Sequence, residues 1–250
     1  MPHPSAPLRA GFRAIAIDQR GHGLSDKPDC GYSFDDVCGD LAALIDVLGL
    51  ERPVIAGHSW GGNVAIQLAA DRPDLVSGVV LVDGGFLEIS SFEGMTWERA
   101  EQLMAPPPLD GVQLHAFLAS ARSWPELGDL WDEQVQEIVL ANFEVTPEGT
   151  IRPRLKRENH MKILRAMWEQ KPSQLWARIK QPVLMIPARS ASPDPRNKMW
   201  LEGKSRAIEQ ALRELRSARV VWMENTIHDV PLHRPAALAE AIIGFVADAG

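Results

Sequence analysis

A chain of 250 residues with 45% apolar and 24% charged side chains can bury a full core as one soluble globular domain. Its net charge of −7 opposes binding to nucleic acid or to an anionic membrane surface, either of which needs a basic face. The two cysteines, Cys30 and Cys38, make no disulfide framework, no window has the length of a membrane span, and Met1 to Ser5 lack the basic start and apolar core of a signal peptide. A reducing, cytoplasmic setting is the expectation.

In chain order, residues 12–18, with Phe12, Ile15 and Ile17, read as a buried strand. Ser33 has the form of an N-cap with Asp36 three residues on; Phe34, Val37, Cys38, Leu41, Leu44, Ile45 and Leu48 then repeat at helical spacing until Gly49 closes the helix. Cys38 falls on the apolar face and reads as a small core residue. The apolar run 53–56 leads into a glycine-rich turn, and Val64, Ile66, Leu68 and Ala69 lead out of it as a helix. Residues 79–83 predict a short buried strand ending in Asp83 and two glycines, and 183–186 predict another. A long charged helix joins the latter to a β-branched and aromatic run at 218–223, and Leu238, Ile242, Phe245 and Val246 mark the packed face of a closing helix. Strands alternating with helices imply a parallel sheet covered on both faces. There is no internal repeat or low-complexity tract.

Between residues 86 and 178 the alternation stops. Helical pieces separated by proline, as at Pro106, Pro107 and Pro108, carry Trp97, Trp124, Trp131, Trp168 and Trp176. The expected organisation is therefore a core of residues 1–85 and 179–250 with a helical insertion, 86–178. Most of these tryptophans read as packing residues, and His160 as a candidate polar group of a pocket.

The sequence Gly57-His58-Ser59-Trp60-Gly61-Gly62 lies between the predicted strand and helix. At so sharp a turn the serine takes strained backbone angles and neighbouring backbones approach closely, so small residues are needed two before and two after it, and Gly57 and Gly61 supply them. The Ser59 hydroxyl then stands at the strand's C-terminal end, and the amide of Trp60 points towards a developing oxyanion. This nucleophile elbow resembles that of the α/β-hydrolase family, in its cap-bearing serine hydrolase branch. The run from Asp18 to Asp26 resembles that family's Asp-x-Arg-Gly-x-Gly-x-Ser loop, which reads as structural, His22 included. His228, in a polar loop after the last predicted strand, matches the order nucleophile first and histidine last.

The resemblance implies an α/β fold with a mostly parallel sheet, flanking helices and a cap in the place of the insertion. It also implies a serine hydrolase cleaving an ester or related acyl bond through an acyl-enzyme, with Ser59 as nucleophile, His228 as general base and then acid, and Trp60 as an oxyanion donor. His58 and His233 are the rival histidines: His58 adjoins the nucleophile but should point away from it, and His233 is read as the start of the closing helix. The orienting acid is open between two candidates. The family's usual place beyond residue 186 holds no acid until Asp194, which before Pro195 also has the form of a helix N-cap; Asp83 resembles the acid position of the haloalkane dehalogenase branch, and a strand-end aspartate can equally be a turn residue.

A serine elbow argues against epoxide hydrolases and dehalogenases, whose elbow carries aspartate, and leaves C–C hydrolase and cofactor-free haloperoxidase-type activities open. The competing class is a degenerate, non-catalytic ligand-binding protein. No cofactor or metal is expected, since there is no His-Glu-x-x-His, Cys-x-x-Cys or phosphate loop, and the expected partner is a small apolar acyl substrate. In the family three strands precede the Asp-x-Arg-Gly loop and the third supplies a second oxyanion amide, whereas about a dozen residues precede Phe12 here. The resemblance therefore implies an N-terminally shortened hydrolase, in which residues 12–18 either pair directly with the strand before Gly57 or lie at an unsatisfied edge.

Overall fold

The computed structural model describes residues 11–124, 127 and 130–249; the start of the chain, including Met1 to Ser5, lies outside them. The chain divides into two compact units, Met1–Tyr32 with Glu101–Leu164 and Ser33–Ala100 with Arg165–Gly250. Of the expected insertion, residues 101–164 fall in the first unit and the two ends in the second.

The second unit is built as the alternation predicts. Helix α1 (Phe34–Val47) starts at a capping box, in which the Ser33 side chain accepts from the Asp36 amide and the Asp36 side chain accepts from the Ser33 amide. Strand β1 (Val54–His58) runs into helix α2 (Trp60–Asp71), and β2 (Gly78–Val82) follows. After a helix, α3 (Trp97–Met104), that crosses the unit boundary in sequence, this unit resumes with β6 (Val183–Ile186), β7 (Ala188–Arg189), the long helix α7 (Pro195–Glu214), β8 (Ala218–Val220) and β9 (Met223–Glu224). A short helix, α8 (Val230–His233), and the closing helix α9 (Pro235–Ala249) complete it. The four strands β1-β2-β6-β8 form an all-parallel sheet in that order, with Val54 opposite Gly78, Val79 opposite Val183, and Val183 opposite Ala218.

Side chains alternate across a strand. Val80, Val82, Leu184 and Ile186 therefore pack together on one face, against Leu238 and Phe245 of α9. Val79, Leu81, Val183 and Met185, fully buried, point the other way, where α2 packs on β1 and β2. Each such aliphatic side chain contributes roughly 1.5–3 kcal/mol on burial, which makes this two-faced sheet the rigid base of the site. Cys38 is buried against α2, its thiol pushed up to about 12 chiefly by desolvation, while Cys30 is exposed.

In the first unit, β3 (Val112–Gln113), α4 (Leu114–Arg122), α5 (Glu133–Leu140), β4 (Phe143–Val145) and β5 (Thr150–Pro153) precede α6 (Arg157–Glu169), the second helix whose length crosses the unit boundary. Beside the helical pieces expected of the insertion stands an antiparallel sheet, β3-β5-β4, that the sequence does not reveal. Strands of two to four residues carry too short a period to be seen in sequence. Phe117, Ala121 and Ile151 form the centre of this unit's apolar core.

Two expectations are corrected. Residues 12–18 form no strand, and Ile15 and Ile17 are each 43% exposed. A strand exists only where a neighbour takes its amides and carbonyls, and among the described residues β1 is paired with β2 alone. The run 218–223 is not one strand but two: β8 continues the main sheet, and β9 pairs with β7 as a separate parallel ribbon. The Asp18 loop does satisfy its own backbone: Asp18 Oδ2 accepts from the Leu24 amide at 2.8 Å, and Ser25 Oγ donates to the Asp18 carbonyl at 2.6 Å.

Candidate active site

At the C-terminal end of β1 the chain turns through Ser59, whose φ of 52° and ψ of −121° lie outside the regions favoured by side-chain-bearing residues. Such a conformation costs on the order of 1–3 kcal/mol and persists only where its surroundings dictate it. Here the Ser59 amide donates to the Val82 carbonyl at 3.0 Å, and the Ser59 carbonyl accepts from the Gly62 amide at 2.9 Å. Three glycines leave the space. A Cβ on Gly57 would run into the backbone of Gly61 and Gly62, one on Gly62 would lie 2.7 Å from the Gly84 carbonyl, and one on Gly84 would lie 2.5 Å from Ser59 Cα. Trp60 opens α2, so its amide is among the helix's first and has no intrahelical acceptor; its ring packs on Phe34 with centroids 4.8 Å apart.

The Ser59 hydroxyl lies 2.9 Å from His228 Nε2, and His228 Nδ1 lies 2.8 Å from Asp83 Oδ2. A carboxylate only accepts, so Nδ1 carries the proton it donates to Asp83; in the neutral ring Nε2 is then the acceptor for the Ser59 hydroxyl. These two bonds span 169 and 145 residues of sequence. Asp83 follows β2 with φ of 44° and a fully buried carboxylate, whereas the His228 side chain is 53% exposed.

The carboxylate is held by more than His228. The Ala188 amide donates to Asp83 Oδ1 at 2.8 Å, and Lys204 Nζ, from the middle of α7, lies 2.7 Å from Oδ1 and 2.9 Å from Oδ2. Burial alone would raise the Asp83 pKa; the hydrogen bond from His228 and the charge of Lys204 outweigh it, and the carboxyl stands below its ordinary value. Lys204 was not among the residues singled out from sequence. It is one cation on a helix full of them, and nothing in the linear pattern distinguishes it.

Asp194 is not brought to His228. Its carboxylate caps α7, accepting from the Arg196 amide at 2.8 Å and pairing with the Arg196 guanidinium at 2.6 Å. His58 does not meet the hydroxyl either: its Nε2 lies 2.8 Å from the His228 carbonyl oxygen. Burial, and then the charge of His228, lower its pKa. His233 does not begin the closing helix; it ends the short α8, two residues before α9 starts. In the first unit, His22 Nδ1 lies 3.1 Å from the Arg20 carbonyl, and burial lowers the pKa of His160. Trp176 is buried, Trp97 meets Trp168 edge to face, and Trp124 is 38% exposed. Among the described residues no group of three or more His, Cys, Asp or Glu is arranged to hold a metal, and no helix is long and apolar enough to cross a membrane.

A strand-elbow-helix that aims a serine at a histidine-carboxylate pair, on a parallel sheet, defines a class of protein, and the chain belongs to the alpha/beta hydrolase family, whose family model matches residues 2–241. It is similar to 2-(acetamidomethylene)succinate hydrolase of Mesorhizobium japonicum, 49% identical over 72 residues that make up 29% of this chain and 26% of that protein. It is also similar to haloalkane dehalogenase 2 of Mycobacterium bovis, 35% identical over 103 residues, 41% of this chain and 35% of that protein. The matches to these two relatives thus span about a quarter and about a third of their length. The crystal structure of E-2-(acetamidomethylene)succinate hydrolase superposes with a TM-score of 0.70 at 24% identity, covering 96% of this chain and 85% of that one, and so shares the fold.

Proposed function

We propose that this chain is a serine hydrolase acting on an ester or related acyl bond of a small molecule. The observation that carries the reading is the continuous line from Ser59 Oγ through both ring nitrogens of His228 to Asp83, at 2.9 and 2.8 Å. As the Ser59 oxygen attacks the acyl carbon, its proton passes to His228 Nε2, and Asp83 stabilises the imidazolium and holds its tautomer. The oxyanion develops towards the Trp60 amide at the positive end of α2. The leaving group takes the proton from Nε2, and a water activated by the same nitrogen then releases the acyl-enzyme. Similarity to 2-(acetamidomethylene)succinate hydrolase supports hydrolysis, and the serine at the elbow favours an acyl-enzyme over the aspartate chemistry of dehalogenases.

The test is labelling with a fluorophosphonate probe, together with turnover of p-nitrophenyl acetate, by the wild type and Ser59→Ala. Labelling and turnover in the wild type that vanish in a folded Ser59→Ala chain support the reading. Turnover that persists after Ser59→Ala, or a folded wild type that neither labels nor turns over, rejects it.

A further inference from the structure

Lys204 stands where a side chain can govern the site without touching substrate. Gly203, beside it, lets α7 approach Phe92 so closely that a Cβ there would run into the ring, and the Trp200 ring meets the same phenyl with centroids 5.3 Å apart. That contact sets the position of α7 and carries the Lys204 side chain inward, where it is only 13% exposed. Its ammonium bonds both oxygens of Asp83 and donates to the Ala188 carbonyl at 2.9 Å. With the Ala188 amide on Oδ1 and His228 on Oδ2, each carboxylate oxygen has two donors, and the orientation that His228 meets is fully specified. A buried ion pair is a poor device for stability, since desolvation offsets much of the attraction, so a role in the site is the more informative reading.

We propose that Lys204 is a positioning residue of this site: it locks the Asp83 carboxylate in the orientation His228 requires. The inference rests on the serine hydrolase reading for its catalytic meaning, though the geometry exists independently of it.

The experiment compares the full-length wild type with Lys204→Met, Lys204→Gln and Lys204→Arg. One readout is the split between kcat and KM on p-nitrophenyl acetate. The other is the NMR signal of the His228 Nδ1 proton, which needs no turnover and reports its bond to Asp83. In Lys204→Met and Lys204→Gln that signal should move or broaden, and Lys204→Arg should restore it. Lys204→Met should also lower kcat about tenfold with KM within about twofold, because orientation rather than binding is lost. Should Met at this buried position prevent folding, the Gln variant carries the comparison, since its amide still donates. An unmoved Nδ1 proton signal in a folded neutral variant overturns the proposal, as does an Arg variant displaced as far as Gln. If the wild type neither labels with a fluorophosphonate nor hydrolyses the ester, the hydrolase reading fails, and the Nδ1 proton signal still decides the role of Lys204.

Discussion

The His58 ring donates through Nε2 to the backbone carbonyl of His228 at 2.8 Å, tying the end of β1 to the loop that carries the site's imidazole. A carbonyl only accepts, so this bond requires a proton on Nε2 and leaves Nδ1 free of one in the neutral ring.

That bond makes a prediction about pH and stability. The folded pKa of His58 lies below the ordinary histidine value of 6.5, lowered by burial and by the neighbouring His228. Its contribution to stability is therefore fully present above pH 6.5 and is lost as pH falls below it, because the unfolded chain takes up the proton first. The melting temperature should fall on acidification through this range, and His58→Gln should flatten part of the fall. His160 and His233, also lowered chiefly by burial, account for a further part. An identical slope in His58→Gln, followed by calorimetry from pH 7.5 to 5, would contradict the assignment.

Ser59 separates activity from stability. Ser59→Ala and Ser59→Gly should both abolish fluorophosphonate labelling. Only glycine accepts φ 52° and ψ −121° without a Cβ penalty, so Ser59→Gly should unfold at higher urea than Ser59→Ala, by about 1 kcal/mol after glycine's extra unfolded-state entropy is subtracted. Equal midpoints would show that the turn is unstrained.

Gly84 is predicted to be intolerant of any side chain. A methyl group there meets the Ser59 backbone, and the contact is with main chain on both sides, so relief requires the elbow itself to move. Gly84→Ala should lose about 2 kcal/mol or more of stability and most of its turnover, whereas Gly39→Ala, whose Cβ would meet nothing within 4 Å, should be neutral or stabilising. Comparable urea midpoints and rates for the two would refute the steric argument.

The carboxylates and histidines make a fourth set. Asp83→Asn should lower turnover by about ten-thousandfold, since the amide cannot hold the same imidazole tautomer with the same charge. Asp194→Ala should leave turnover within about twofold and only weaken the start of α7. His228→Ala should abolish turnover, and His233→Ala, at the end of α8, should leave it intact. Rates with p-nitrophenyl acetate at pH 8 decide among them, and an active Asp83→Asn beside an inactive Asp194→Ala would transfer the role.

What the sequence determined by itself is local. The capping box at Ser33, the β1-elbow-α2 unit and the buried run ending at Asp83 were legible because their causes lie within a few residues: hydrogen bonds to adjacent amides, glycines where backbones cross, apolar runs of strand length. Residues 12–18 show the limit of that logic, since an apolar β-branched run becomes a strand only when a partner takes its hydrogen bonds, and Ile15 and Ile17 instead face solvent. The tertiary structure alone decided which carboxylate meets His228, because Asp83 and Asp194 both end or begin an element with equal local plausibility and the choice depends on β2 lying beside β6. It alone placed Lys204 against Asp83, across 121 residues: a lysine's role is set by what its helix packs on, and the contact of Gly203 with Phe92 that fixes α7 exists only in three dimensions.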